Sequence, residues 1–205
     1  MFKKVLFPLI FLLLITPILA QAAPKYPDKN KLRKELKIAG LKKVLQLKEG
    51  ILIFRFQTKK LAIESLERKG RVEAATKLRQ EVSTRNKFIV ERFKRNFNFC
   101  EVHFIYSHQS NIVRKDYSQA QFIDMSFNPT QAPKGGQFFL TADFSEANTF
   151  DEINELTPPG VILRDQNFQQ IKRPIKAHSF TVEKFNRRLK RMYRKAKRKQ
   201  RKGKL

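Results

Sequence analysis

Ile51-Leu52-Ile53-Phe54-Arg55-Phe56 is the stretch around which the rest of the chain can be ordered. It follows Glu49-Gly50, precedes the polar Gln57-Thr58-Lys59-Lys60, and is built almost wholly from β-branched, aliphatic and aromatic residues. A run that is apolar on both sides of the pleat belongs in the middle of a sheet covered on both faces, so it is expected to be a buried central strand. Upstream, Leu32, Leu36 and Ala39, then Leu41, Val44 and Leu45, recur at helical spacing among lysines with Gly40 between the sets. That pattern predicts one or two short amphipathic helices.

Downstream, Thr58 is placed to cap a helix in which Leu61, Ala62 and Leu66 share a face and which Gly70 ends or bends. Val72, Ala75, Leu78, Val82, Ile89 and Phe93 then predict a helix over residues 71–97, about 40 Å long at ~1.5 Å per residue, with Ser83 and Thr84 as its candidate break. Cys100, Val102, Phe104 and Tyr106 alternate with Glu101, His103 and Ile105, a second strand. Two strands joined by a long helical crossover pair in parallel. Residues 107–136 read as a long loop, or a loop with a short helix over 117–122. Residues 138–144 form a third strand and 161–164 a fourth; Asp165-Gln166-Asn167 turns the chain into a fifth over 168–172, giving a hairpin that Pro174 closes. A last helix begins after Thr181 with Phe185, Leu189, Met192, Tyr193 and Ala196 on one face.

The expected fold class is therefore α/β in the mixed α+β sense. A roughly five-stranded mixed sheet carries a βαβ crossover, a C-terminal hairpin and flanking helices, in one domain over residues 31–193. Leu52, Phe54, Phe56, Val102, Phe104, Leu140 and Val161 are the expected core. Phenylalanine, with 19 copies against no tryptophan, supplies its aromatic content.

The amino terminus points outside the cytoplasm. Lys3 and Lys4 precede an apolar run over residues 5–20, and Ala20-Gln21-Ala22 forms a small-x-small site, the three parts of an export signal cleaved after Ala22. A membrane anchor is the alternative, but Pro8 and Pro17 interrupt the run and it falls short of the ~20 apolar residues of a spanning helix. Residues 23–30, with Pro24 and Pro27, read as a disordered leader. The expected location is periplasmic or extracellular. The single cysteine, Cys100, cannot form an internal disulfide, so stability must come from the core. Burial is the ordinary fate of such a thiol, with pairing between chains as the alternative.

Charge is the strongest functional signal. The chain has 44 Lys and Arg against 18 Asp and Glu, a formal net charge of +26, which loss of Lys3 and Lys4 reduces to +24. Residues 184–205 hold thirteen cations and no acid. Arg187, Arg188, Arg191, Arg194, Lys195, Lys197, Arg198, Lys199, Arg201 and Lys202 are the candidate anion-binding residues. The first half of that segment has an apolar face for docking; beyond Ala196 the charges repel one another and the helix is expected to fray into a tail over residues 194–205. Such a tail is either a solubilising end or an attachment to an anionic partner: lipid, acidic polysaccharide or an acidic protein. Nucleic acid is disfavoured, because aromatic stacking platforms are not interleaved with the cations and an exported chain seldom meets it.

No motif demands catalysis or a cofactor. Element order is compatible with a thioredoxin-like arrangement, but Gln57-Thr58-Lys59-Lys60 stands where such proteins carry their cysteine pair. Cys100 and His103, three apart on a strand, point to opposite faces and cannot share a metal with His108; His178 is remote. Asp143, near a strand end, is the acid to watch, since α/β folds place ligands there, although a solvent-facing residue is the simpler reading. A small envelope enzyme with a site around Gln57, Ser107 and Asp143 is thus the alternative to a non-enzymatic basic domain. Exported protein should begin at Ala23; intact mass measurement checks this, and a membrane-held form retaining Met1 would overturn the assigned location.

Overall fold

A computed structural model describes residues 28–145, 160–171 and 181–205. The export signal and most of the expected leader lie outside the described residues, as does His178. Five helices, α1 (Lys29–Glu49), α2 (Lys60–Arg68), α3 (Val72–Asn96), α4 (Ser110–Asp116) and α5 (Val182–Arg201), accompany six strands. These are β1 (Ile51–Phe56), β2 (Glu101–Tyr106), β3 (Phe122–Ile123), β4 (Pro129–Thr130), β5 (Phe139–Ser145) and β6 (Gly160–Arg164), in the order β4-β3-β2-β1-β5-β6. The fold is mixed α+β with an open sheet.

β1 is central, as its two-sided apolar sequence requires, and pairs in parallel with β2 and with β5. Its alternate residues feed two cores. Leu52, Phe54 and Phe56 meet Phe104, Leu140, Val161 and Leu163 under Val44 and Leu47 of α1, Ile89 and Phe93 of α3, and Phe185 and Leu189 of α5. Ile51 and Ile53 face the other way, into a smaller core with Ile105, Val113, Tyr117, Phe122 and Phe139. Phenylalanine dominates the first core: Phe54 lies 4.7 Å from Phe93 and Phe56 stacks on Phe104 at 5.4 Å, centroid to centroid.

Gly50 explains how a long helix passes directly into the central strand. Its neighbour Ile51 donates its N–H to the Phe138 carbonyl at 3.0 Å, and a Cβ on Gly50 would stand 2.1 Å from that same oxygen. Only a residue without a side chain lets the two backbones approach this closely.

Several expectations are corrected. Among the described residues the sheet has six strands where roughly five were expected: β3 and β4 rise from the segment read as loop, each two residues long and too short to show periodicity, and the strand expected over 168–172 is not among them. The short helix expected over 117–122 lies earlier, as α4, with single 3₁₀ turns on either side. Residues 29–49 make one helix, with Gly40 buried inside it, and α3 runs unbroken past Ser83 and Thr84, which are exposed and face no competing partner. Thr58 does not cap α2. The cap position is Lys59, in a left-handed conformation, while the Thr58 hydroxyl lies 3.4 Å from that of Ser107. On α2 it is Ile63 that is buried, whereas Leu61 is 81 % exposed. Val102 is only half-buried, since β3 meets β2 at Phe104 alone and leaves the first half of β2 at an open edge. Phe168 does not begin a strand: it sits at φ 61° in the turn after β6, and the expected hairpin is reduced, over the described residues, to one bridge between Arg164 and Gln170. The strand that pairs along β6 is β5, antiparallel.

Gly50→Ala should lower stability by about 3 kcal/mol, the scale of an overpacked site that must move backbone. Gly135→Ala, whose added Cβ would meet nothing nearer than 3.8 Å, should stay within about 0.5 kcal/mol. Urea denaturation of the two variants checks the contrast.

Candidate functional site

Three charged residues interrupt apolar strands: Arg55 between Phe54 and Phe56, Asp143 between Ala142 and Phe144, and Arg164 after Val161-Ile162-Leu163. Parallel and antiparallel register bring them together, with Arg55 opposite Asp143 and Arg164 two pairs along on β6, on the same face of the sheet. Asp143 is not solvent-facing, which corrects the simpler reading of it; its side chain is 1 % exposed. Arg164 grips it side-on, Nε donating to Oδ2 at 2.8 Å and Nη2 to Oδ1 at 3.2 Å. Arg55 donates Nη2 to Oδ2, and the Ser145 hydroxyl donates to Oδ1 at 2.6 Å. Burial alone would raise the carboxyl's pKa, but hydrogen bonds from Arg164 and Ser145 and the charges of Arg164 and Arg55 together hold it below the ordinary carboxylate range.

Both oxygens of Asp143 are therefore occupied twice, which leaves no lone pair well placed to take a proton from a substrate. Arg55 also donates Nη1 to Ser110 Oγ at 3.2 Å, and Ser110 donates in turn to the Ser107 carbonyl at 2.6 Å. Ser107 thus reaches Asp143 only through Ser110 and Arg55. The Phe168 ring lies under both Arg55 and Arg114, 5.0 and 5.4 Å from their guanidinium carbons. This cluster sits at the C-terminal ends of β1 and β5, where α/β folds place ligands, yet what it does is tie β1, β5, β6 and α4 to one another.

Cys100 stands just before β2, at the end of the sheet opposite the Thr58 turn. Burial pushes its thiol up to about 12 against the smaller pull of the Lys48 charge, so it is a poor nucleophile near neutral pH. Among the described residues no three of His, Cys, Asp and Glu gather as metal ligands, and no helix is long and apolar enough to cross a membrane.

The cations singled out in the sequence lie on α5. Val182, Phe185, Asn186, Leu189 and Ala196 form its buried stripe, and Asn186 is fastened by donating Nδ2 to Asn98 Oδ1 at 3.0 Å. The helix does not fray after Ala196: it runs to Arg201, because Ala196 is itself fully buried while α5 packs against α1. Arg187, Arg191, Arg194, Lys197, Arg198, Arg201 and Lys202 are exposed; Arg188, Lys195 and Lys199 are half-buried. Arg187 lies 3.8 Å from Glu183, the only acid on the helix, and the Lys197 ammonium stands over the Tyr193 ring at 5.3 Å.

Sequence reasoning missed what α1 adds. That helix carries eight cations against two glutamates. The Lys195 ammonium is held below the ordinary lysine range first by the charge of Lys37 on α1, then by desolvation and by Lys199, Arg198 and Arg191. Lys48 of α1, with Lys190 and Arg194 of α5, borders a groove floored by Phe99 and Tyr193. The spacing of Lys37 and Lys195 in the chain gives no hint of this convergence; the signal present is only that two separate amphipathic segments share one polar composition. No protein-family model, no curated protein and no solved structure matches the chain.

Asp143→Asn leaves two half-buried guanidiniums without a counter-charge and should cost about 3 kcal/mol in chemical denaturation, the low end of what breaking a buried pair costs because both cations keep some solvent. The sign of the pH effect follows from the lowered pKa. The stabilisation from Asp143 is present above the pKa of the unfolded chain and is lost as pH falls through and below the ordinary carboxylate range. The variant should therefore show a shallower loss of stability on acidification than the parent.

Proposed function

We propose that the chain is a non-enzymatic domain that is exported, processed after Ala22, and held at an anionic surface of the cell envelope by the joined polar faces of α1 and α5. The observation that carries this reading is the packing of α1 against α5, which sets two cation-rich helices side by side. The charge of Lys37 on α1 reaches Lys195 on α5 and, ahead of desolvation, holds its ammonium below the ordinary lysine range. Like charges within reach of each other destabilise the free protein, and an external anion relieves that repulsion on binding.

An anionic lipid surface suits the site better than a soluble polyanion. Leu32 and Leu36, four apart on α1, are 43 % and 42 % exposed among Lys29, Lys31, Arg33, Lys34 and Lys37. Apolar side chains flanked by cations on one helix are the pattern of an interfacial segment, whose leucines enter the headgroup boundary while the cations meet the phosphates. Juxtaposed cations contribute about 1 kcal/mol each near an anionic bilayer at low salt, and much less once the Debye length shortens to ~8 Å at physiological ionic strength.

Replacing Lys195, Arg198, Lys199, Arg201 and Lys202 by Gln keeps the helix and removes the charge. Binding to vesicles containing phosphatidylglycerol should fall by about 1 kcal/mol per cation at low salt, with a weaker dependence on salt than the parent shows. Leu32→Ser/Leu36→Ser should weaken vesicle binding and leave any binding to an acidic polysaccharide unchanged. Co-sedimentation across a salt series reads both; equal, salt-insensitive binding by parent and Gln variant overturns the proposal, and binding to polysaccharide alone reassigns the partner.

A further inference from the structure

A cavity of about 310 Å³ lies between α3, the start of α5 and the end of β5, at the other end of α5 from its crowded cations. Its walls are apolar: Phe88 and Ile89 of α3, Phe144 of β5 and Val182 of α5. Arg85 and Arg92, seven apart on α3 and therefore on one side of it, border the cavity. Phe88 stands between them with 57 % of its surface exposed, an unusual position for so large an apolar side chain, and the Arg92 guanidinium covers its ring at 4.7 Å.

Neither Arg85 nor Arg92 is ion-paired with a carboxylate among the described residues. Glu183, which also borders the cavity, lies beside Arg187 on the outside of α5, and the N-terminus of α5 is already answered by the Thr181 hydroxyl, which accepts from the Lys184 N–H at 3.1 Å. Two unpaired guanidiniums at the rim of an apolar recess are complementary to a molecule with an anionic head and an apolar tail. A guanidinium presents parallel donors that match the plane of a carboxylate. The volume stands at the low end of small-ligand sites, which suits one alkyl chain and excludes a two-chain lipid.

We propose that this cavity is a binding site for a single-chain carboxylate amphiphile of medium length, the tail lying against Phe88, Ile89, Phe144 and Val182 and the carboxylate held by Arg85 and Arg92. The site is independent of the basic surface of α1 and α5. Its occupant is a free fatty carboxylate rather than a bilayer lipid.

Calorimetric titration of the purified protein with decanoate, decanol and acetate, each below its critical micelle concentration, tests this. Decanoate should bind saturably at one site, decanol at least tenfold more weakly, and acetate not measurably. Arg85→Gln/Arg92→Gln should weaken decanoate binding at least tenfold and bring it close to that of decanol. Phe88→Ala, which removes an exposed wall, and Asn96→Trp, which fills the recess, should each reduce it, with circular dichroism confirming an unchanged fold. The Gln-substituted α5 surface should bind decanoate as the parent does. Absence of saturable binding, equal binding of decanoate and acetate, indifference to the Arg85 and Arg92 changes, or loss of binding in the α5 surface variant would each overturn the assignment.

Discussion

Asp143 has to satisfy two guanidiniums at once, and much of the sheet's arrangement follows from that requirement. Arg55 is the only charge in the central strand, and no strand so buried can carry an uncompensated cation. Its carboxylate partner must come from the neighbouring strand in the same register, which sets β5 beside β1 with Arg55 opposite Asp143. Arg164 then closes on the same carboxylate from β6. A one-residue slip of either pairing would send the charged side chains to opposite faces of the sheet, into the phenylalanine core. The cluster thus supplies register, a role that an apolar contact of the same size fills less strictly, because apolar contacts are not directional.

The two faces of the sheet divide the work. On one, Phe54, Phe56, Phe93, Phe104 and Phe185 give the main core its bulk, and α1, α3 and α5 cover it. On the other, a smaller core of isoleucine, tyrosine and phenylalanine gives way to the Arg55–Asp143–Arg164 cluster toward the strand ends. Asp143 is saturated and the Cys100 thiol is held protonated by burial, so these two groups are committed to structure. The outward charge of the molecule is kept apart from this. α5 buries a narrow stripe ending at Ala196 and turns its remaining sides, almost all Lys and Arg, to solvent beside the basic side of α1.

Strong periodic signals are legible in the amino-acid order alone. β1, β2, β5 and β6 can be read there because each buries enough alternating or continuous apolar residues to show its period, and Leu52, Phe54, Phe56, Phe104, Leu140 and Val161 are all buried. The parallel pairing of β1 with β2 follows from the length of the helical crossover. β3 and β4 leave no such trace, since a two-residue strand exists only through its partner. Thr58 and Leu61 mislead for a related reason. Local preference makes Thr58 a cap and Leu61 a buried residue, but the neighbouring strand end draws the Thr58 hydroxyl toward Ser107 and the contact of α2 with α3 selects Ile63.

By itself, then, the sequence determined the class of fold, the central place of residues 51–56, the apolar stripe of the last helix and the excess of cations along it, because each is written in the spacing or composition of neighbouring residues. Tertiary structure alone decided that Asp143 is buried between Arg55 and Arg164, that α1 packs beside α5 so that the charge of Lys37 reaches Lys195, that Ala196 is packed so that the last helix continues to Arg201, and that Arg85, Phe88 and Arg92 border a recess closed by Phe144 and Val182. Each of these joins residues far apart in the chain. Periodicity reports which side of an element is apolar, whereas the partner of a charge depends on which elements the chain brings side by side.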